Sequence, residues 1–164
     1  MKLVISAALS CAALSLAGTA RAQDLFLDGD IVRGAQEGAP GPICVLTNQF
    51  KHLEKVVFRF RVRDQGGKLL DDKGIKNLVV ELADGQKIEG HYGGHPPVSA
   101  GNPGGPTDYF WVAVWVIPES YPSGTFRYKA VATDLQGHGQ LWEPIKRVTT
   151  DLQVLPGAIE FKKP

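Results

Sequence analysis

The residues best placed by type and spacing to do chemistry are two histidines four apart, in His91-Tyr92-Gly93-Gly94-His95-Pro96-Pro97. Neutral imidazoles ligate zinc or copper, and the two intervening glycines would let a flexible backbone turn both rings toward one ion. Two donors do not complete a site. Asp108 is the nearest acidic residue after the loop, with His52, Glu89 and His138 as further donors. His91, His95 and Asp108 are therefore the candidate metal set, for copper or zinc. In the competing reading the histidines hydrogen-bond within a Gly-Pro loop or face a partner, and there is no cofactor. The Cys-x-x-Cys-His of covalent haem attachment does not occur.

Other constellations are weaker. Ser99, Ser120 and Ser123 lie in turn sequences without a Gly-x-Ser-x-Gly elbow, so a hydrolase is not indicated. Asp64, Asp71, Asp72 and Asp134 read as strand-end turn residues rather than calcium ligands. Neither a phosphate-binding loop nor a dinucleotide fingerprint is present. Cys44, in Ile43-Cys44-Val45-Leu46, sits in an apolar strand-like run and is expected to be a buried, inert thiol. Intermolecular pairing and a metal-thiolate role are the alternatives. These features together predict a protein that is not an enzyme.

The N-terminus has the pattern of a secretory signal: Met1-Lys2, an apolar run from Leu3 to Leu16, and Ala20-Arg21-Ala22 before Gln23. The run falls short of the roughly 20 residues a spanning helix needs. Cleavage after Ala22 would leave 142 of the 164 residues. Lys2 and Arg21 would leave with the segment, turning 18 basic against 17 acidic side chains into 16 against 17. Such a balance lacks the electrostatic footprint of a dedicated nucleic-acid binder. Cys11 would also be lost, leaving Cys44 with no intrachain disulfide partner. The expectation is an exported chain, periplasmic or secreted, with residues 1–22 as signal, residues 23–164 as one domain, and no membrane span after cleavage.

The elements that must position these residues are strands. Val56, Phe58, Phe60 and Val62 alternate with Val57, Arg59, Arg61 and Arg63, and Asp64-Gln65-Gly66-Gly67 ends the run. Asn77–Ala83 and Gln86–Tyr92 flank Asp84-Gly85, a two-residue hairpin signal. Tyr109–Ile117 is the most β-prone stretch and Pro118 ends it. Thr125–Thr133, Arg147–Leu155, Phe26–Val32 and Ile43–Asn48 supply the rest. Gly93–Thr107, rich in glycine and proline, reads as a long irregular loop of functional type.

The runs Trp115-Val116-Ile117-Pro118, Tyr121-Pro122-Ser123-Gly124-Thr125-Phe126-Arg127-Tyr128 and Ala132-Thr133-Asp134-Leu135-Gln136-Gly137 resemble the last strands of bacterial immunoglobulin-like domains. Phe58–Asp64 followed by Ile75–Gly85 is similarly placed to their earlier strands. The resemblance spans roughly Lys55 to Leu155. It implies an all-β, immunoglobulin-like sandwich of seven to eight strands, and says nearly nothing of function.

In that order of strands, Tyr109–Ile117 pairs with Phe58–Arg63. Both of its faces are apolar, yet a sandwich buries only one face of each sheet. The aliphatic face (Phe110, Val112, Val114, Val116) is expected to join Phe58 and Phe60 inside. Tyr109, Trp111 and Trp115 would then lie outside beside Arg59, Arg61 and Arg63. That outer set is either a self-contained cation–π ladder, a docking face, or a surface covered by the N-terminal segment. The function expected is an accessory protein docking onto a protein partner, such as a periplasmic enzyme complex. A small copper or zinc protein is the alternative.

Overall fold

A computed structural model of the chain describes residues 24–41, 44–95, 104–106, 108–145 and 150–162. The signal-like segment 1–22 and most of the Gly/Pro-rich stretch 96–107 lie outside the described residues. These form ten strands: β1 (Phe26–Arg33), β2 (Gln49–His52), β3 (Lys55–Arg63), β4 (Asn77–Leu82), β5 (Lys87–His95), β6 (Asp108–Val116), β7 (Gly124–Phe126), β8 (Tyr128–Thr133), β9 (Gly139–Trp142) and β10 (Leu152–Ala158). Seven make one sheet in the order β1-β3-β6-β5-β4-β8-β9, and β2-β10-β7 make a second. The expectation of an all-β chain holds, with two sheets, but ten strands form where seven to eight were expected. Among the described residues no helix is long and apolar enough to cross a membrane.

The large sheet folds over on itself at β5. Lys87–Glu89 pair with β4, whereas Gly90–His95 pair with β6, so one strand belongs to two walls. Gly90 stands at the change of partner, where an added Cβ would meet Leu78 Cδ2 and the Leu78 carbonyl at 3.0 Å. One wall is β1, β3, β6 and the distal half of β5; the other is the proximal half of β5, β4, β8 and β9. They face each other across a core in which Phe58 packs on Tyr128, ring centroids 5.1 Å apart, and Phe60 meets Trp142 edge-on at 5.2 Å. β1 and β9 come together at the far seam and bring the sheet close to a closed barrel.

Turn chemistry read from the sequence is realised. Gly85 has φ 84° between β4 and β5, and Gly67 has φ 80° after β3. The buried Asp134 carboxylate accepts the Gln136 and His138 N–H groups at 2.9 and 2.8 Å, closing the turn between β8 and β9. The smaller sheet pairs β2 parallel to β10 and β7 antiparallel to it, and buries Phe50, Leu152 and Val154. His52 ties it to the rest: Nδ1 lies 3.1 Å from the Gly157 carbonyl and Nε2 2.7 Å from that of Tyr121.

Three expectations are corrected. Of Ile43–Asn48, Ile43 lies outside the described residues and the remainder is not a strand; only Leu46 makes an isolated bridge, to Val32, and the strand begins later, at Gln49. Of Arg147–Leu155, residues 147–149 lie outside the described residues and the strand runs Leu152–Ala158; a short strand, Gly139–Trp142, precedes it. The third correction is the orientation of β6. Val56, Phe58 and Phe60 lie directly opposite Trp115, Ala113 and Trp111, so those six side chains share the inner face. Trp111 and Trp115 are 4% and 5% exposed, while Val114 and Val116 are 41% and 43% exposed. The strand is turned over relative to expectation because indole offers more apolar surface to bury than valine. Ala113 also leaves room for Phe58 opposite, and Trp111 Nε1 donates to the Leu70 carbonyl at 3.0 Å, so its polar atom is satisfied inside.

Candidate functional site

Turning β6 over changes what lies beside the arginines. On the outer face of the first wall, Arg59 and Arg61 flank Phe110, their guanidinium carbons 5.1 and 4.8 Å from its ring centroid. Trp111 and Trp115 are not part of this face. Tyr109 is exposed, but it stacks on Tyr92 at 5.8 Å, away from the arginines. Arg63 turns to the strand end, donating to the Gly67 carbonyl at 3.0 Å and lying 4.0 Å from Asp28. Phe110, read from sequence as a core residue, is thus the ring the arginines use.

Both central arginines are already paired. Arg59 donates through Nε and NH2 to the two carboxylate oxygens of Asp30, each at 2.7 Å, and this hydrogen bonding raises its pKa against the opposing effect of burial. Arg61 donates to Asp108. The Tyr109 backbone N–H, 2.8 Å from the other Asp108 oxygen, and then Arg61 hold the Asp108 carboxyl below its usual range. The face is therefore rigid and close to electrically neutral.

The metal set expected from sequence does not assemble. β5 runs unbroken through His95, with His91 opposite Val112 and His95 opposite Asp108. Four residues of extended strand separate the two histidine Cα atoms by about 13 Å, too far to chelate one ion. His91 is exposed, and Asp108 is committed to Arg61. Among the described residues no three His, Cys, Asp or Glu side chains are grouped to hold a metal ion.

His95 instead meets a residue 51 positions away. Cys44 Sγ lies 3.3 Å from His95 Nε2. Cys44 is exposed, against the expectation of a buried thiol, and its backbone is left-handed, φ 57°. The segment around it is held to β1 by Cys44 N–H to the Arg33 carbonyl at 2.8 Å and Arg33 N–H to the Val45 carbonyl at 3.1 Å. The His95 ring meets Phe110 edge-on at 6.1 Å. Burial first, and then the Arg59 charge, lower the His95 pKa, so the ring is neutral near pH 7 and able to act as a ligand or a base. No spacing rule links a lone cysteine to a histidine 51 residues away, and nothing in the sequence joined them.

A concavity lies at the seam between β1 and β9: a cleft of about 620 Å³ whose lining includes Ile31, Tyr128, Trp142 and Pro144, with Asp28 and Glu143. Neither Cys44 nor His95 lines it. No family model, curated protein or solved structure matches this chain.

Proposed function

We propose that the chain is an exported, single-domain, non-catalytic binding protein that docks onto a larger periplasmic protein assembly through the outer face of its first wall. The observation that carries this reading is the uncovered strip on β6. Val114 and Val116, both more than two-fifths exposed, continue from Phe110, which two guanidinium groups flank. Arginine and aromatic side chains dominate interface hot spots. Here Asp30 and Asp108 hold the arginines in place before any partner arrives, which lowers the entropy cost of association. With its charges internally matched, the strip suits an apolar protein surface rather than a polyanion. Export rests on the pattern of residues 1–22.

An immunoglobulin-like architecture belongs to the same proposal. Its support is the partition of the large sheet: β1, β3 and β6 on one side, and β4, β8 and β9 on the other, with β5 crossing between. This is how the A, B, E and C, F, G strands divide in such sandwiches.

The test is cross-linking in native periplasmic extract from a photoreactive residue at position 114. A single protein species is expected to be captured. Val114→Lys, at a half-exposed site that leaves the core intact, is expected to weaken association at least about tenfold, the cost of burying one unpaired charge. A chain that stays monomeric in the extract, or a Val114→Lys variant that binds as well as the original, refutes the proposal.

A further inference from the structure

We infer that the cleft at the seam between β1 and β9 is a binding site for a small organic cation, an apolar or aromatic body carrying one protonated amine. The inference stands apart from the docking proposal, because the cleft lies at the ends of the large sheet and not on the outer strip of β6.

The cleft exists because the large sheet stops short of closing. β1 and β9 stand at its two ends and approach each other without pairing. Gly29 allows the approach: an added Cβ there would lie 2.3 Å from Phe60 Cε1 and 3.3 Å from Trp142 Cη2. The indole therefore lies over the glycine. The space left beside it, about 620 Å³, is of the size that encloses a small molecule.

Three features of its wall specify the ligand. The first is an unused hydroxyl. Tyr128 lines the cleft and is only 6% exposed, and among the described residues its phenol has no hydrogen-bond partner. Polar groups this deeply buried are normally paired. A donor carried in by a ligand would pair this one.

The second is an aromatic corner. The Trp142 and Tyr128 rings both line the cleft, with centroids 6.1 Å apart and planes inclined at 46°. Phe60 backs the indole at 5.2 Å and Phe58 the phenol at 5.1 Å, so the corner is held in place before a ligand arrives. Aromatic faces attract a cation, and Ile31 and Pro144 offer apolar surface to its body.

The third is the sign of the charge. Asp28 and Asp30 line the β1 side and Glu143 the other. Asp30 spends both oxygens on Arg59, yet after burial its charge is the next cause that raises the Tyr128 pKa, so its negative field reaches the phenol. Asp28 is loosely held, its side chain 82% exposed and 4.0 Å from Arg63. An incoming amine would meet these carboxylates, then the rings, then the phenol oxygen. An anion would be repelled along the same path, and a neutral hydrocarbon would leave the hydroxyl unpaired.

The experiment is a nuclear magnetic resonance titration of the full chain with 2-phenylethylamine, which is protonated at pH 7. Its neutral and anionic counterparts, 2-phenylethanol and 3-phenylpropionate, serve as controls. Saturable shifts are expected at Gly29, Ile31 and the Trp142 indole, with the amine bound at least about tenfold more tightly than the alcohol and not displaced by the carboxylate. Tyr128→Phe removes the hydroxyl alone and should weaken the amine at least about tenfold, as loss of a hydrogen bond to a charged group does. Asp28→Asn, at an exposed site outside the core, should weaken it about threefold with circular dichroism unchanged. No saturable shift in the cleft, shifts centred on Val114 and Val116 instead, equal affinity for the alcohol, displacement by the carboxylate, or undiminished binding by Tyr128→Phe would each overturn the assignment.

Discussion

Replacing Trp111 with Phe tests the orientation of β6, on which the whole description of the outer face depends. The indole is 4% exposed, and its N–H is the donor to the Leu70 carbonyl. Phenylalanine keeps most of the ring but leaves that buried carbonyl without its partner, at a cost of about 1–3 kcal/mol. The smaller ring adds a void, so a loss of about 2 kcal/mol is expected. Full truncation to alanine belongs to the class that costs about 3–5 kcal/mol, a large share of a total stability of about 5–15 kcal/mol. Val114→Ala, at a site 41% exposed on the opposite face, should change stability by no more than about 0.5 kcal/mol. Urea denaturation followed by far-ultraviolet circular dichroism separates the two. With an m-value of about 2 kcal/mol/M, the Trp111→Phe midpoint falls by about 1 M and that of Val114→Ala barely moves. If Val114→Ala costs as much as Trp111→Phe, the valines are the core and the reasoning fails.

The seam between β1 and β9 offers a second check: an added Cβ at Gly29 would lie 2.3 Å from Phe60 Cε1, so Gly29→Ala should lower the denaturation midpoint by the equivalent of about 1–3 kcal/mol. A neutral result would mean Phe60 does not lie over Gly29. His52→Leu removes the buried imidazole that lies against the carbonyls of Tyr121 and Gly157 and should cost about 1–3 kcal/mol in the same assay; an unchanged midpoint would show that His52 does not tie the small sheet down. Tyr128, buried between the walls, has its phenol pKa pushed well above the usual value, first by burial and then by the Asp30 charge. The folded state then holds the proton more tightly than the unfolded chain. Its contribution to stability is complete below about pH 10 and is lost as pH rises further. Stability measured from pH 8 to 12 should fall less steeply for Tyr128→Phe; parallel curves would refute the linkage.

Much of the framework is legible in the residues. The alternation in Val56–Arg63 put Phe58 and Phe60 inside and the arginines outside, and Asp84-Gly85 and Asp134–Gly137 marked turns that form as read. Local patterns carry this information because side chains alternate across a strand and tight turns demand particular residues. Strand Gly139–Trp142 was missed because four residues are too few to show alternation. Gly93 to His95 were read as loop because of their glycines, but pairing with β6 extends them into a strand.

The sequence by itself determined that the chain is all-β, where its turns lie, and which face of β3 is wet. Only the tertiary structure decided which face of β6 is buried, since both are apolar and the choice belongs to the opposing wall, where the indoles fill the gap beside Phe58, Phe60 and Tyr128. It also separated His91 from His95 by keeping their strand straight, and joined His95 to Cys44 instead. Contacts between residues distant in the chain are set by how sheets fold over and pair, and no local spacing records them.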